Sequence, residues 1–220
     1  MLITVNNTEL YYEVTGEGTP IILLHGNGED HNIFDVLISQ LSDKFRVYAI
    51  DSRGHGKSEN SDNLDYHLMA DDIVEFIHKN HIEKPVLYGF SDGGIIGLMI
   101  SYKFPALLSK LVISGANSSP SGLKFKWRFL IWIAYIFKRD PKLKMMLNEP
   151  NITKDDLQKI EIPTLVTAGE NDMVKESDTR FIAGNISNSK LVIIPYETHD
   201  SYVVNSPKLF DVIKDFIRCD

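Results

Sequence analysis

A serine, an acid and a histidine follow one another along this chain in an order that suits nucleophilic catalysis. The segment Gly89-Phe90-Ser91-Asp92-Gly93-Gly94 stands where a buried apolar run gives way to helical spacing. A hydroxyl at the tip of such a strand–turn–helix junction is lifted clear of its neighbours, and the residues two positions away on either side must be small because strand and helix approach closely there. The helix start also aims backbone N–H groups at the same point, which suits a developing negative charge. A five-residue pattern of small residues also arises by chance, and the plain alternative is a turn in which Ser91 only caps a helix.

A serine hydroxyl needs a base. His199, in Tyr196-Glu197-Thr198-His199-Asp200, follows the last apolar run and precedes the last helical pattern. His67, His78 and His81 flank or lie on a predicted helix and read as surface groups. His31 begins another helix, while His25 and His55 lie in loops that precede the serine. The acid that orients the imidazole should lie between Ser91 and His199. Asp172, in Ala168-Gly169-Glu170-Asn171-Asp172, is favoured; Glu170 is the competitor, and Asp178 is the poorer one because it falls in a helical stretch. The turn His25-Gly26-Asn27-Gly28 can present the N–H of Asn27 to an oxyanion, with the N–H of Asp92 as the second donor.

These residues need a scaffold that brings chain-distant loops to one edge. Period-2 patterning and continuous apolar runs predict strands at Leu2–Val5, Glu9–Val14, Ile21–Leu24, Phe45–Ile50, Pro85–Tyr88, Leu111–Ser114, Pro163–Ala168 and Leu191–Ile194. Helical spacing falls between most of them and again over Pro207–Ile217. Alternation of this kind means an α/β fold with a mostly parallel sheet and helices on both faces. The rhythm breaks after Ala116: Ser118 to Gly122 is loop chemistry, and a helical stretch over Lys124–Arg139 follows. The whole chain, 1–220, therefore reads as a single α/β domain, with 117–150 as a short cap or lid insertion. Trp127, Phe129, Trp132 and Tyr135 are expected to line an acyl pocket under it. Lys124, Lys126, Arg128, Lys138, Arg139, Lys142 and Lys144 surround its apolar run, which would suit an acidic substrate or an anionic lipid surface.

Composition narrows the classes. The chain has 220 residues, 43% hydrophobic and 24% charged, with a formal net charge of -7. That charge speaks against nucleic acid as partner. The single cysteine, Cys219, has no internal disulfide partner and reads as a surface residue, and no cofactor or metal motif stands out. The N-terminus has no basic-then-apolar leader, and the longest apolar run, Phe129 to Phe137, is far short of the ~20 residues of a membrane span, so a cytoplasmic protein is the expectation. The sequence leaves the oligomeric state open.

Taken together, His25 to Gly28, the loop Asp51-Ser52-Arg53-Gly54-His55-Gly56-Lys57-Ser58, Gly89 to Gly94, Ile162 to Asp172 and His199 resemble the α/β-hydrolase family over nearly the whole chain. The resemblance implies a sheet of about eight strands, the relay Ser91–His199–Asp172, and a mostly structural role for Arg53. It also implies a serine hydrolase, esterase-like and with a reduced cap, acting on a small or medium ester through an acyl-enzyme. α-Amino acid esters, lactones, amides and C–C bonds are open to the same residues. Asp92 could pair with a substrate ammonium, because the same Gly-x-Ser-Asp-Gly-Gly string occurs in valacyclovir hydrolase-like members. It could equally be a first-turn acid facing the helix dipole. Thr198 departs from the pattern, since relatives often carry Gly before the histidine. The rival of a different class is a non-catalytic ligand-binding protein on the same fold.

Overall fold

The computed structural model describes residues 1–218; Cys219 lies outside the described residues. In chain order the elements are β1 (Leu2–Val5), β2 (Thr8–Thr15), β3 (Thr19–Leu24), α1 (Asp35–Leu41), β4 (Phe45–Ile50), α2 (Tyr66–Lys79), β5 (Val86–Phe90), α3 (Asp92–Lys103), β6 (Lys110–Ser114), α4 (Phe125–Lys138), α5 (Pro141–Asn148), α6 (Lys154–Leu157), β7 (Thr164–Gly169), α7 (Glu176–Asn185), β8 (Ser189–Ile194) and α8 (Lys208–Ile217). They form an α/β-hydrolase fold around one eight-stranded sheet, ordered β1-β2-β4-β3-β5-β6-β7-β8. From β4 to β8 in that order every pairing is parallel; β1 and β2 are the antiparallel exception.

The central strands are buried on both faces, which is why they read as unbroken apolar runs. Leu23, Val86, Tyr88 and Val112 pack with Leu37, Leu209 and Ile213 on the α1/α8 side. Leu24, Leu87, Leu111 and Ile113 pack with Ile73, Ile77, Ile96 and Ile100 on the α2/α3 side. The β1–β2 hairpin turns on Asn6 and Asn7, whose φ angles of 43° and 61° are ones that Asn tolerates.

Several boundaries differ from the expectation. The β3 strand runs back through Pro20 to Thr19, because only β4 pairs there; β5 joins at Ile21, so the missing N–H of Pro20 falls near the strand start. His31 opens a 3-10 turn that leads into α1 rather than a regular helix. The α5 helix is an addition to the expected elements: Asp140 caps it by accepting from Lys142 N (2.9 Å), and Pro141 occupies its first turn.

The loop after β4 is held by a buried ion pair. Arg53 donates through Nε (2.7 Å) and Nη2 (2.6 Å) to the two carboxylate oxygens of Asp72 on α2. Removing one partner strands the other charge away from water. Asp72→Ala is therefore expected to lower the unfolding free energy by about 3–5 kcal/mol, read from urea unfolding curves. A loss below about 1 kcal/mol would mean that the loop is held chiefly by other contacts.

Candidate active site

Ser91 sits between β5 and α3 at φ 52° and ψ −114°, a conformation that L-residues adopt only under strain. The close approach behind it leaves no room for a side chain at position 93: a Cβ on Gly93 would lie 2.2 Å from the carbonyl oxygen of Leu24. Gly93 N donates to His25 O (3.1 Å), which pins the end of β3 to the start of α3.

The three residues expected to work together do meet. His199 Nδ1 bonds Asp172 Oδ1 at 2.7 Å, and His199 Nε2 lies 3.1 Å from Ser91 Oγ. A carboxylate can only accept, so the ring proton stays on Nδ1 and the Nε2 lone pair faces the hydroxyl. Asp172 is buried at the end of β7, where Oδ1 also accepts from Val174 N (2.8 Å) and Oδ2 has no hydrogen-bond partner among the described residues. Glu170 is directed elsewhere, to Tyr196 N (2.8 Å), and Asp178 binds Ser118 N and Oγ at the entry to the cap segment. The ring of Phe90 lies 4.9 Å from the imidazole. Gly115, at φ 63°, leaves the space that His199 fills, because a Cβ there would stand 2.7 Å from its Cε1.

The amides of Asn27 and Asp92 take no hydrogen bond within the described residues, unlike those of Gly26, Glu29, Gly93 and Gly94 around them. A side-chain clamp holds the two segments together. Asn27 Nδ2 donates to Asp92 Oδ2 (2.9 Å), and Tyr66 Oη donates to Asp92 Oδ1 (2.7 Å). Asp92 is 3% exposed, and burial raises its carboxyl above the usual carboxylate range. With both oxygens engaged and the side chain buried, Asp92 ties Asn27 and Tyr66 to the start of α3.

A cavity of about 630 Å³ opens over Ser91, within the range of small-molecule sites. Its floor is Gly26, Asn27, Ser91 and His199, and its apolar wall comes from Trp127, Leu130, Ile131 and Ala134 of α4 with Leu143 and Met146 of α5. Of the expected wall residues only Trp127 lines it. Phe129, Trp132 and Tyr135 do not, because the helical period turns 127, 130, 131 and 134 toward the site and carries 129 and 132 to the far side.

Sequence reasoning missed Tyr66 and Glu29. Tyr66 opens α2, and nothing in the spacing marks it as a partner of the loop residues. Glu29 follows the glycine turn with no pattern to mark it. It lines the cavity, accepts from Gly26 N (3.0 Å), and burial pushes its carboxyl up to about 6. The remaining histidines near the loops are structural: His25 accepts from Ser52 N (3.0 Å), and burial pushes His55 down to about 4. Asp30, His31 and Asp51 could approach a metal ion, but Asp51 already accepts from His31 N, the His31 ring and Lys57 N, so the group serves the loop. No helix among the described residues is long and apolar enough to cross a membrane.

A family model for the alpha/beta hydrolase fold matches residues 19–135, more than half of the chain. The chain belongs to the α/β-hydrolase family. Among curated members it is 28% identical to the human serine hydrolase BPHL over 250 residues, covering 98% of this chain and 85% of the relative. It is 26% identical to the superfamily protein YisY of Bacillus subtilis, covering 97% of each. Both alignments are longer than this chain, so these members carry residues that it lacks. Solved structures similar in fold include an esterase from Exiguobacterium antarcticum (TM-score 0.87, 22% identity, 99% of both chains) and an enol-lactonase from Burkholderia xenovorans (0.82, 18%, 99% of both). Membership supports a hydrolase.

The raised carboxyl of Glu29 has a measurable consequence. Its folded-state value of about 6 lies above the ordinary 4.5, so the cost of holding it ionised is absent below pH 4.5 and fully present above about pH 6. Glu29→Gln keeps an acceptor for Gly26 N but does not titrate. Its stability relative to the parent should therefore rise with pH through that window, by up to about 2 kcal/mol. Urea unfolding of both proteins at pH 4.5 and pH 7.5 measures it, and a difference that stays flat would mean that Glu29 is solvated.

Proposed function

We propose that this protein is a serine hydrolase that cleaves small or medium carboxylic esters through an acyl-enzyme on Ser91. The observation that carries the reading is the hydrogen-bonded line from Ser91 Oγ to His199 to buried Asp172, opening into an apolar cavity.

In this reading Ser91 Oγ attacks the ester carbonyl while His199 Nε2 takes its proton. The carbonyl oxygen becomes an oxyanion between the free amides of Asn27 and Asp92, which the Tyr66–Asp92–Asn27 clamp holds in place before substrate arrives. The imidazolium forms beside a carboxylate with an unpartnered oxygen, so its charge meets one already waiting. His199 then protonates the leaving alcohol. Water, deprotonated by the same nitrogen, attacks the acyl-Ser91 carbonyl, releases the acid and returns the proton to the serine.

The α4–α5 segment acts as a small lid whose inner wall reads the acyl chain. The names of two structures of similar fold, an esterase and an enol-lactonase, suit an ester or cyclic ester. Residues 117–150 add α4, α5 and one 3-10 turn, a small amount of chain over the cavity, which suits a substrate of modest size.

Ser91→Ala should lower hydrolysis of p-nitrophenyl esters by at least ~10³-fold without changing the circular dichroism spectrum, and should abolish labelling by a fluorophosphonate. Failure of the parent to take the label would favour a non-catalytic binding protein. Trp127→Ala should raise KM for a medium-chain ester roughly tenfold while leaving the acetyl ester within about twofold, and Trp132→Ala should leave both within about twofold. Equal effects on the two esters at Trp127 would remove it from the acyl wall.

A further inference from the structure

The α4 helix presents two apolar faces, and only one of them is used. Trp127, Leu130, Ile131 and Ala134 face the cavity. On the opposite ridge, at i, i+4, i+7 and i+11, stand Phe125, Phe129, Trp132 and Ile136. Phe125 is 75% exposed, Phe129 48% and Trp132 47%, and no residue of the helix is buried. The rings form a continuous stripe: Phe125 stacks on Phe129 at 6.2 Å and Phe129 on Trp132 at 5.8 Å. A helix that is apolar on both sides is ordinarily buried, and a monomer rarely leaves such a ridge in water.

Charge says what covers it. Residues 124–144 carry seven Lys and Arg and one acid, Asp140, in a chain whose net charge is -7. Lys126 and Arg128 flank the aromatic ridge on its two sides, and Lys124, Lys138 and Arg139 close its ends; all five are exposed. Aromatic side chains between long cations, on a helix lying in a plane, match the boundary of a bilayer with anionic headgroups. The acidic remainder of the molecule would be pushed away from such a surface, which orients the cap toward it. A second copy fits poorly, because a two-fold contact through this ridge would set the two sets of cations against each other.

We propose that α4 is an interfacial docking helix that seats the protein, cap first, on an anionic lipid surface through the Phe125–Phe129–Trp132–Ile136 ridge. The docking does not depend on the chemistry assigned to Ser91. Its consequence does: the cavity lies on the reverse side of the same helix, so an ester with an apolar acyl chain enters from the bilayer side.

Co-sedimentation of the full-length protein with vesicles of phosphatidylcholine alone, or with about one third phosphatidylglycerol, tests it. Binding to the anionic vesicles should be at least tenfold stronger and should weaken as NaCl is raised. The Phe129→Glu/Trp132→Glu double variant should lose binding at least tenfold while hydrolysing the water-soluble p-nitrophenyl acetate at the parent rate. Lys126→Glu/Arg128→Glu, which keeps the rings, should lose the preference for anionic vesicles. No binding, or equal binding to both vesicles, overturns the proposal. So does a concentration-dependent dimer, seen by sedimentation velocity, that Phe129→Glu/Trp132→Glu dissociates. Vesicle binding by a parent that fails to hydrolyse any ester would leave the docking standing and remove the enzymatic reading alone.

Discussion

The junction between β5 and α3 governs the geometry around it. Ser91 occupies a backbone conformation that costs free energy, and the surrounding packing over-determines it: β3 lies so close behind that Gly93 cannot carry a side chain, and Ser91 N is bonded to Ser114 O at 2.8 Å on the other flank. One consequence is that the hydroxyl stands free of its own strand. Another is that the amide of Asp92, at the start of α3, has no hydrogen-bond partner among the described residues. The His25–Gly28 turn is then drawn in by Gly93 N and by the Asn27–Asp92 contact, so a residue some sixty positions earlier in the chain shares the site.

Around that junction, chemically similar groups are set to different tasks by their surroundings. Asp172 has one oxygen committed to His199 and a backbone amide, and the other left open beside the imidazole. Asp92, fully enclosed, has both oxygens taken by Tyr66 and Asn27 and acts on position rather than on charge. Glu29 stands in the cavity with a single backbone donor, and burial lifts it toward neutrality. Asp72 and Asp51 secure the loop after β4, one through Arg53 and the other through His31 and Lys57. Partner and burial, not residue type, separate these roles.

The cap follows from helical periodicity applied to a stretch that is apolar almost throughout. With too little chain to build a second layer over α4, one face is absorbed by the cavity and the other is left to the outside. The rings remain at the surface with cations on either side. The same helix thus has the cavity on one side and the surroundings of the molecule on the other.

The sequence by itself determined the fold class, the order of the strands along the chain, and Ser91 and His199 as the residues its patterns single out. Those depend on local signals: unbroken apolar runs for strands buried on both faces, small residues at the strand–helix turn, and loops that follow successive parallel strands and so emerge at one edge. The tertiary structure alone decided between Asp172 and Glu170, because two acids two residues apart differ only in which way the turn after β7 directs them. It alone identified Tyr66, whose hydroxyl meets Asp92 on another element, and Glu29, which turns back onto Gly26 N and lines the cavity. It also put Leu130, Ile131 and Ala134 beside Trp127 on the cavity wall, in place of Phe129, Trp132 and Tyr135. An amphipathic period reveals which side of a helix is apolar, but where both sides are apolar, only the position of the sheet beneath chooses the one that faces the site.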